Sequence, residues 1–281
     1  MRVTESCAEC LYDKQMHLTE DKKYLAEIKF IIDNRREDDC APYLVYRFNQ
    51  VYEKYFGQKA SYKDIKKKYN DLVLSLEDAV RKRIEASKDP LAQALVYARA
   101  GNYIDFGAMN QVEEETFLSL LDSVKLQEQE AAVIASFTEQ CKNARSFLLI
   151  ADNCGEIVLD KLFLEQLHKR FPELSIDVLV RGGEVLNDAT KEDAEYVGIS
   201  KVARVISNGL PIAGTVYEML PEDAKEVMDQ ADVILAKGQG NYESLCKQGR
   251  HIFYSFLCKC ELFTSRFRVP KLTGIFVEEW D

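Results

Sequence analysis

The stretch LLIADNCGEIVLD, residues 148–160, decides the fold. An apolar run stops abruptly at Asp152-Asn153, passes through Gly155, and a helical pattern starts at Glu156 and runs to Arg170. A short apolar strand leading through glycine into a helix is half of a β-α-β unit. The same alternation repeats downstream. SIDVLVRGG, VARVISNG, ADVILAKGQGN and HIFYSFL read as strands, with helical segments at Lys191–Val197, Glu222–Gln230 and Tyr242–Cys246 between them, and TGIFVEE reads as one more strand. Apolar strands buried on both faces and joined by helices predict an α/β fold with a doubly wound, mostly parallel sheet over residues 144–281.

Residues 1–143 read as a helical subdomain. Tyr24, Leu25, Ile28, Ile31 and Ile32 recur at helical spacing, and Pro42 suits the first turn of a second run that Gly57 ends. A long amphipathic stretch follows Ser61, a cap candidate. Asp89-Pro90 starts another helix that stops at Gly101-Asn102, and a further helix is expected over 127–142.

The 281 residues carry 37 basic and 47 acidic side chains, a net charge of −10. That balance argues against nucleic acid or an anionic membrane as partner. No apolar run is long enough for a membrane span, and MRVTESCAEC lacks the apolar core of a secretory signal, so a cytoplasmic location is expected. The composition does not bear on oligomeric state.

In an open parallel sheet, ligands bind at the carboxyl ends of the strands. Four consecutive strand ends here are polar and rich in glycine: Asp152-Asn153-Cys154-Gly155-Glu156, then Arg181-Gly182-Gly183 with Asn187-Asp188, then Ser207-Asn208-Gly209, then Lys237-Gly238-Gln239-Gly240-Asn241. Asp152, Asn153 and Asp188 offer hard oxygen ligands of the kind Mg²⁺ or Mn²⁺ takes. Lys237 and the backbone N–H groups of a glycine turn suit an anion, and a helix starting near Asn241 would aim its positive end there. A cation beside an oxyanion cradle is what phosphate-ester chemistry requires. The plainer alternatives are that Asp152-Asn153 and Asn187-Asp188 only cap helices, and that KGQGN is only a loop. The spaced glycines of a dinucleotide fingerprint are missing from DNCGE, which disfavours NAD.

ADNCGE, VRGGEVLNDAT and AKGQGNYE, in that order, resemble the signature blocks of the damage-control phosphatase family, also described as acidic residue methyltransferase-like. CAEC, YKDIKKKYN and AGNYIDFGA resemble blocks of its short, stand-alone prokaryotic-type branch, so the resemblance spans nearly the whole chain. It implies a helical N-terminal subdomain on a Rossmann-like sheet. It implies a metal-dependent phosphatase (Mg²⁺, Mn²⁺, Co²⁺ or Ni²⁺) acting on small phosphorylated metabolites such as sugar phosphates or damaged phosphometabolites. On the matching positions, Asp152, Asn153 and Asp188 would be metal ligands. Glu156 and Lys237, Gly238, Gln239, Gly240 and Asn241 would contact substrate and phosphate. Cys154 stands where the family usually has alanine, and the Arg-Thr-x-Lys block of the eukaryotic branch is absent. The competing functions are an S-adenosylmethionine-dependent carboxyl methyltransferase and a non-catalytic binder of a phosphorylated metabolite. Within the phosphatase reading, Asp152 is read first as a ligand, because Cys154 replaces the acid that aspartyl-phosphate enzymes use two residues on; a covalent nucleophile at Asp152 is the alternative.

Asn102 and Asp105 lie in a glycine-bounded stretch read as non-helical. Together with Arg181 they are further candidates to touch substrate; Gly101–Ala108 serving only as a linker is the alternative. Cys7 and Cys10 form a CxxC and Cys258 and Cys260 a CxC, so four thiolates for a structural zinc stand against plain burial in helix packing.

Overall fold

The computed structural model describes residues 1–57, 59–106, 118, 119, 121, 124 and 128–280; of residues 104–106, 128 and 129 it describes the backbone alone. Eleven α-helices and six strands follow one another in the described residues. The first half holds α1 (Glu5–Leu18), α2 (Lys22–Asp33), α3 (Ala41–Phe56), α4 (Lys63–Ala86), α5 (Pro90–Ala100) and α6 (Glu128–Asn143). Alternation then begins: β1 (Ser146–Ile150), α7 (Glu156–Arg170), β2 (Ser175–Val180), α8 (Lys191–Val197), β3 (Arg204–Ser207), α9 (Glu222–Gln230), β4 (Val233–Lys237), α10 (Gln239–Leu245), β5 (Ile252–Leu257), α11 (Glu261–Phe267) and β6 (Gly274–Glu279).

The sheet order is β3-β2-β1-β4-β5-β6, parallel throughout except for β6, which runs antiparallel to β5. This is the doubly wound, mostly parallel sheet expected from the strand pattern. The chain leaves β1 toward β2 on one side and returns to pair β4 on the other, so the crevice of the sheet opens between the ends of β1 and β4. Both faces are covered, and the side chains alternate between them. Phe147, Leu149, Val178, Leu235 and Phe253 pack on one face with α4, α5, α6 and α7, while Leu148, Ile150, Leu179, Ile234 and Tyr254 pack on the other. The first three helices bury a separate small core around Tyr24, Ile28, Leu44 and Phe48. The helical half is therefore not uniform: α4–α6 share the main core of the sheet, and α1–α3 do not.

Local signals in the sequence mostly hold. Asp89 caps α5, its carboxylate accepting from Ala92 N at 3.2 Å, and Pro90 opens the helix. Ser61 is not the cap of α4, which is Tyr62; one residue earlier, it accepts from Lys63 N at 3.2 Å and donates to Glu184. Two other expectations also fail locally. Gly101–Phe106 is a 3₁₀ helix rather than a non-helical link. The cap of α8 is Thr190, closed by a reciprocal bond with Asp193, so Asp188 is released from capping. A serine- or threonine-type capping box, with its acid three residues on, outcompetes an Asn-Asp pair placed further upstream.

Candidate active site

Asp152 and Asn153 follow the last residue of β1, and Asp188 lies opposite them. Asn153 and Asp188 form an isolated antiparallel bridge, Ala189 N donates to Asp152 O at 2.7 Å, and Cys154 N donates to Asn187 O at 2.8 Å. Backbone pairing between two strand-end loops thus fixes the three side chains side by side. All three are at least nine-tenths buried, as are Glu156, Asp160, Arg181 and Lys237.

Two amides and two cations hold the carboxylates. Asn153 Nδ2 donates to Asp152 Oδ2 at 2.6 Å and to Glu156 Oε2 at 3.2 Å. Asn102 Nδ2 donates to the same two oxygens, at 2.9 and 2.8 Å. Arg181 braces the far side: Nε donates to Asp188 at 2.6 Å, Nη2 to Asp152 Oδ1 at 3.3 Å, and Nη1 to Asn241 Oδ1 at 3.0 Å. Arg181 was a candidate substrate contact; with its side chain buried against two aspartates, it instead positions them.

Lys237 departs from its expected role as a phosphate contact. Its ammonium is fully buried and donates to Glu156 and Asp160, each at 2.7 Å, and to the carbonyl of Ala98 at 3.0 Å. An ammonium has three N–H donors, so all are taken. The neighbouring turn is equally engaged. Asn241 accepts from Arg181 and Thr215 and donates to Ala151 O and Lys237 O, tying β1 to β4. Gln239 donates to Glu243 and Cys260 and accepts from Lys259 N. The side chains of this turn build the crevice. The backbone is engaged too, Gly238 N donating to Ser255 O at 2.9 Å, and the glycines there are obligatory. Gly238 has φ +81°, and a Cβ on it would lie 2.1 Å from Asp152 Oδ2; a Cβ on Gly240 would lie 2.1 Å from Ala213 O. α10 begins at Gln239, three residues earlier than the sequence pattern indicated.

The electrostatics follow from burial. Asp152, Glu156, Asp160 and Asp188 face Arg181 and Lys237: four carboxylates against two cations, all buried. Burial, then Asp188 and Glu156, push Asp152 up to about 8, with Arg181 pulling the other way. Burial likewise pushes Asp160 up to about 7, against the pull of Lys237. Burial alone would lower Lys237, but Asp160 and Glu156 outweigh it and keep it an ammonium. A set of buried oxygens two positive charges short, built from carboxylates and carboxamides, fits a hard divalent cation. The charge shortage has a measurable consequence. Both raised carboxyls bind protons in the folded state that the unfolded chain has lost, from about pH 4 up to their folded values. Stability of the metal-free protein is therefore full below pH 4 as far as these groups are concerned, and falls as pH rises toward 8. The melting temperature in EDTA is expected to drop between pH 5 and pH 8, with Mn²⁺ reversing the drop at pH 8. A flat profile would contradict the assigned charges.

One site residue escaped the sequence reading. Lys259 follows β5, is half-buried, and exerts its positive charge on Asp152. The signal was present in FLCKC, as a lysine at the fifth strand end, beside the cysteines that drew attention first. Asn70, on α4, accepts from Gly155 N at 2.7 Å and so sets the glycine turn into α7. Asp105 falls where side chains are not described. The four cysteines do not form the zinc centre considered from their spacing. Cys258 is buried, Cys7 and Cys260 are half-buried, and Cys10 is exposed; among the described residues no group of three or more Cys, His, Asp or Glu is placed to hold a metal. Burial raises the Cys154 thiol, which stays protonated behind Asp188. Among the described residues, no helix is long and apolar enough to cross a membrane.

The model of the damage-control phosphatase ARMT1-like domain matches residues 2–273. The chain belongs to this family. A damage-control phosphatase of Archaeoglobus fulgidus is 28% identical over 275 residues, covering 93% of each chain. A damage-control phosphatase of Pyrococcus horikoshii is 28% identical over 228 residues, covering 80% of this chain and 76% of its own. In fold, the chain is similar to the crystal structure of a DUF89 family protein from Pyrococcus horikoshii, with a TM-score of 0.80, 24% identity and 99% of both chains covered. The family expected from the strand-end blocks is thus the family found. Its name is that of a phosphatase, the activity expected from the sequence.

Proposed function

We propose that this chain hydrolyses phosphate monoesters of small metabolites, damaged or unwanted sugar phosphates among them, with a divalent cation held by Asp152, Asn153 and Asp188. The observation that carries the proposal is the two-charge shortage of the buried carboxylate set. When bound, the cation would neutralise the phosphoryl group and lower the barrier to attack by water. The chain's own residues then divide the work. Arg181 bridges Asp152 and Asp188 and holds them in place. Lys237 fixes Glu156, whose role in this reading would be to orient the attacking water or a substrate hydroxyl. Lys259 would add a positive charge at the rim of the crevice.

Metal-stripped protein is expected to be inactive on a generic phosphate ester and to recover on adding back Mg²⁺, Mn²⁺, Co²⁺ or Ni²⁺, the ranking naming the preferred ion. Absence of any metal-stimulated phosphate release would sink the proposal, and methyl transfer without phosphate release would favour a methyltransferase.

A further inference from the structure

Asn102 comes from the helical half, two residues past α5, and reaches the crevice of the sheet. Its side chain is fully buried. Its geometry repeats that of Asn153. Each amide spends its N–H groups on Asp152 Oδ2 and Glu156 Oε2, one from the helical side and one from the strand side. Two carboxylate oxygens fix the orientation, because the amide oxygen cannot face them. The carbonyl oxygen of Asn102 is thereby set as an acceptor, and it is buried with no hydrogen-bond donor reaching it among the described residues. A buried amide oxygen left without a partner is costly, and such atoms in native proteins mark a missing ion, water or ligand. Gly101 ensures the approach: a Cβ there would lie 2.9 Å from Glu156 Cα.

We infer that Asn102 supplies a fourth oxygen to the cation site of Asp152, Asn153 and Asp188, so that the site is completed by the helical half of the chain. The inference rests on the cation reading above. Its logic is one of charge. Four carboxylates already crowd the crevice, and a neutral carboxamide adds an oxygen toward the cation without adding repulsion toward a phosphate. Its N–H groups meanwhile hold Asp152 and Glu156 at a fixed separation.

The probe is Mn²⁺ alone, titrated calorimetrically into metal-free protein, with no substrate. Asn102→Ala is expected to weaken Mn²⁺ binding about ten-fold or more, the range seen when groups that orient a metal's ligands are removed. Asn102→Asp keeps the shape, and serves if the alanine variant fails to fold. It places a further carboxylate among the others, so its metal-free form is expected to melt below the wild type. Mn²⁺ is then expected to raise its melting temperature by more than it raises that of the wild type. Asp152→Ala and Asp188→Ala serve as controls. If they bind Mn²⁺ as the wild type does, the cation site itself is misplaced. If they lose binding while Asn102→Ala retains it in full, or if Mn²⁺ stabilises Asn102→Asp no more than the wild type, the role of Asn102 is overturned and the cation site stands.

Discussion

Lys237→Met is expected to cost about 3–5 kcal/mol of folding stability, the range for removing one partner of a buried ion pair. The mechanism is specific. Glu156 and Asp160 are both fully buried and both lean on this one ammonium, and Ala98 O loses its donor as well. Methionine matches the stem of lysine in size, so packing is largely spared and the deficit is one of charge. Urea denaturation at pH 7 checks it. Adding Glu156→Gln to the variant is expected to recover part of the loss, because one stranded charge is removed. A single-variant cost under about 1 kcal/mol, ordinary for exposed pairs, would show that the crevice is wetter than the burial indicates.

Asp152→Ala is expected to lower kcat/KM with Mn²⁺ by roughly a thousand-fold or more, at or beyond the upper end for losing one preorganised transition-state group. Stability is expected to move the other way. Asp152 is held up at about 8 because burial and two neighbouring carboxylates oppose its charge, so the metal-free variant should melt at or above the wild type near pH 8. Loss of activity with gain of stability separates a functional carboxylate from a structural one. Asp188→Ala should lose activity similarly but gain less, since Asp188 carries the shorter bond to Arg181. Near-normal turnover in either variant would remove both from the site.

How far these expectations were readable from the sequence depends on the reach of each signal. β1, with its stop at Asp152-Asn153, and β4, ending at Lys237, were legible because an apolar run ending in polar residues and glycine is local information. That Asp188 joins Asp152 followed from the rule that strand ends share an edge. The direction in which Lys237 points was not legible. Its three acceptors lie on α5 and α7, far off in sequence, and nothing near KGQGN encodes them. Arg181 misled in the same way: a strand-end arginine looks available until its aspartates are seen to enclose it. Asn102 was singled out for its place beside Gly101. The resemblance to a known family supplied the ligand roles that residue types alone left open between capping and cation binding.

The bonds of Lys237 also tie distant parts of the chain together. Its partner Glu156 is 81 positions away and Ala98 139. Without β4, the edge of β1 would stand unpaired and Glu156 and Asp160 would have no counterion. Docking of β4 zips the open edge and delivers the ammonium in the same event. Contacts this distant in sequence are slow to form. An unpaired edge of β1 flanked by those like charges would repel the edge of another chain, so the acids that need Lys237 would also guard β1 wherever β4 is not docked.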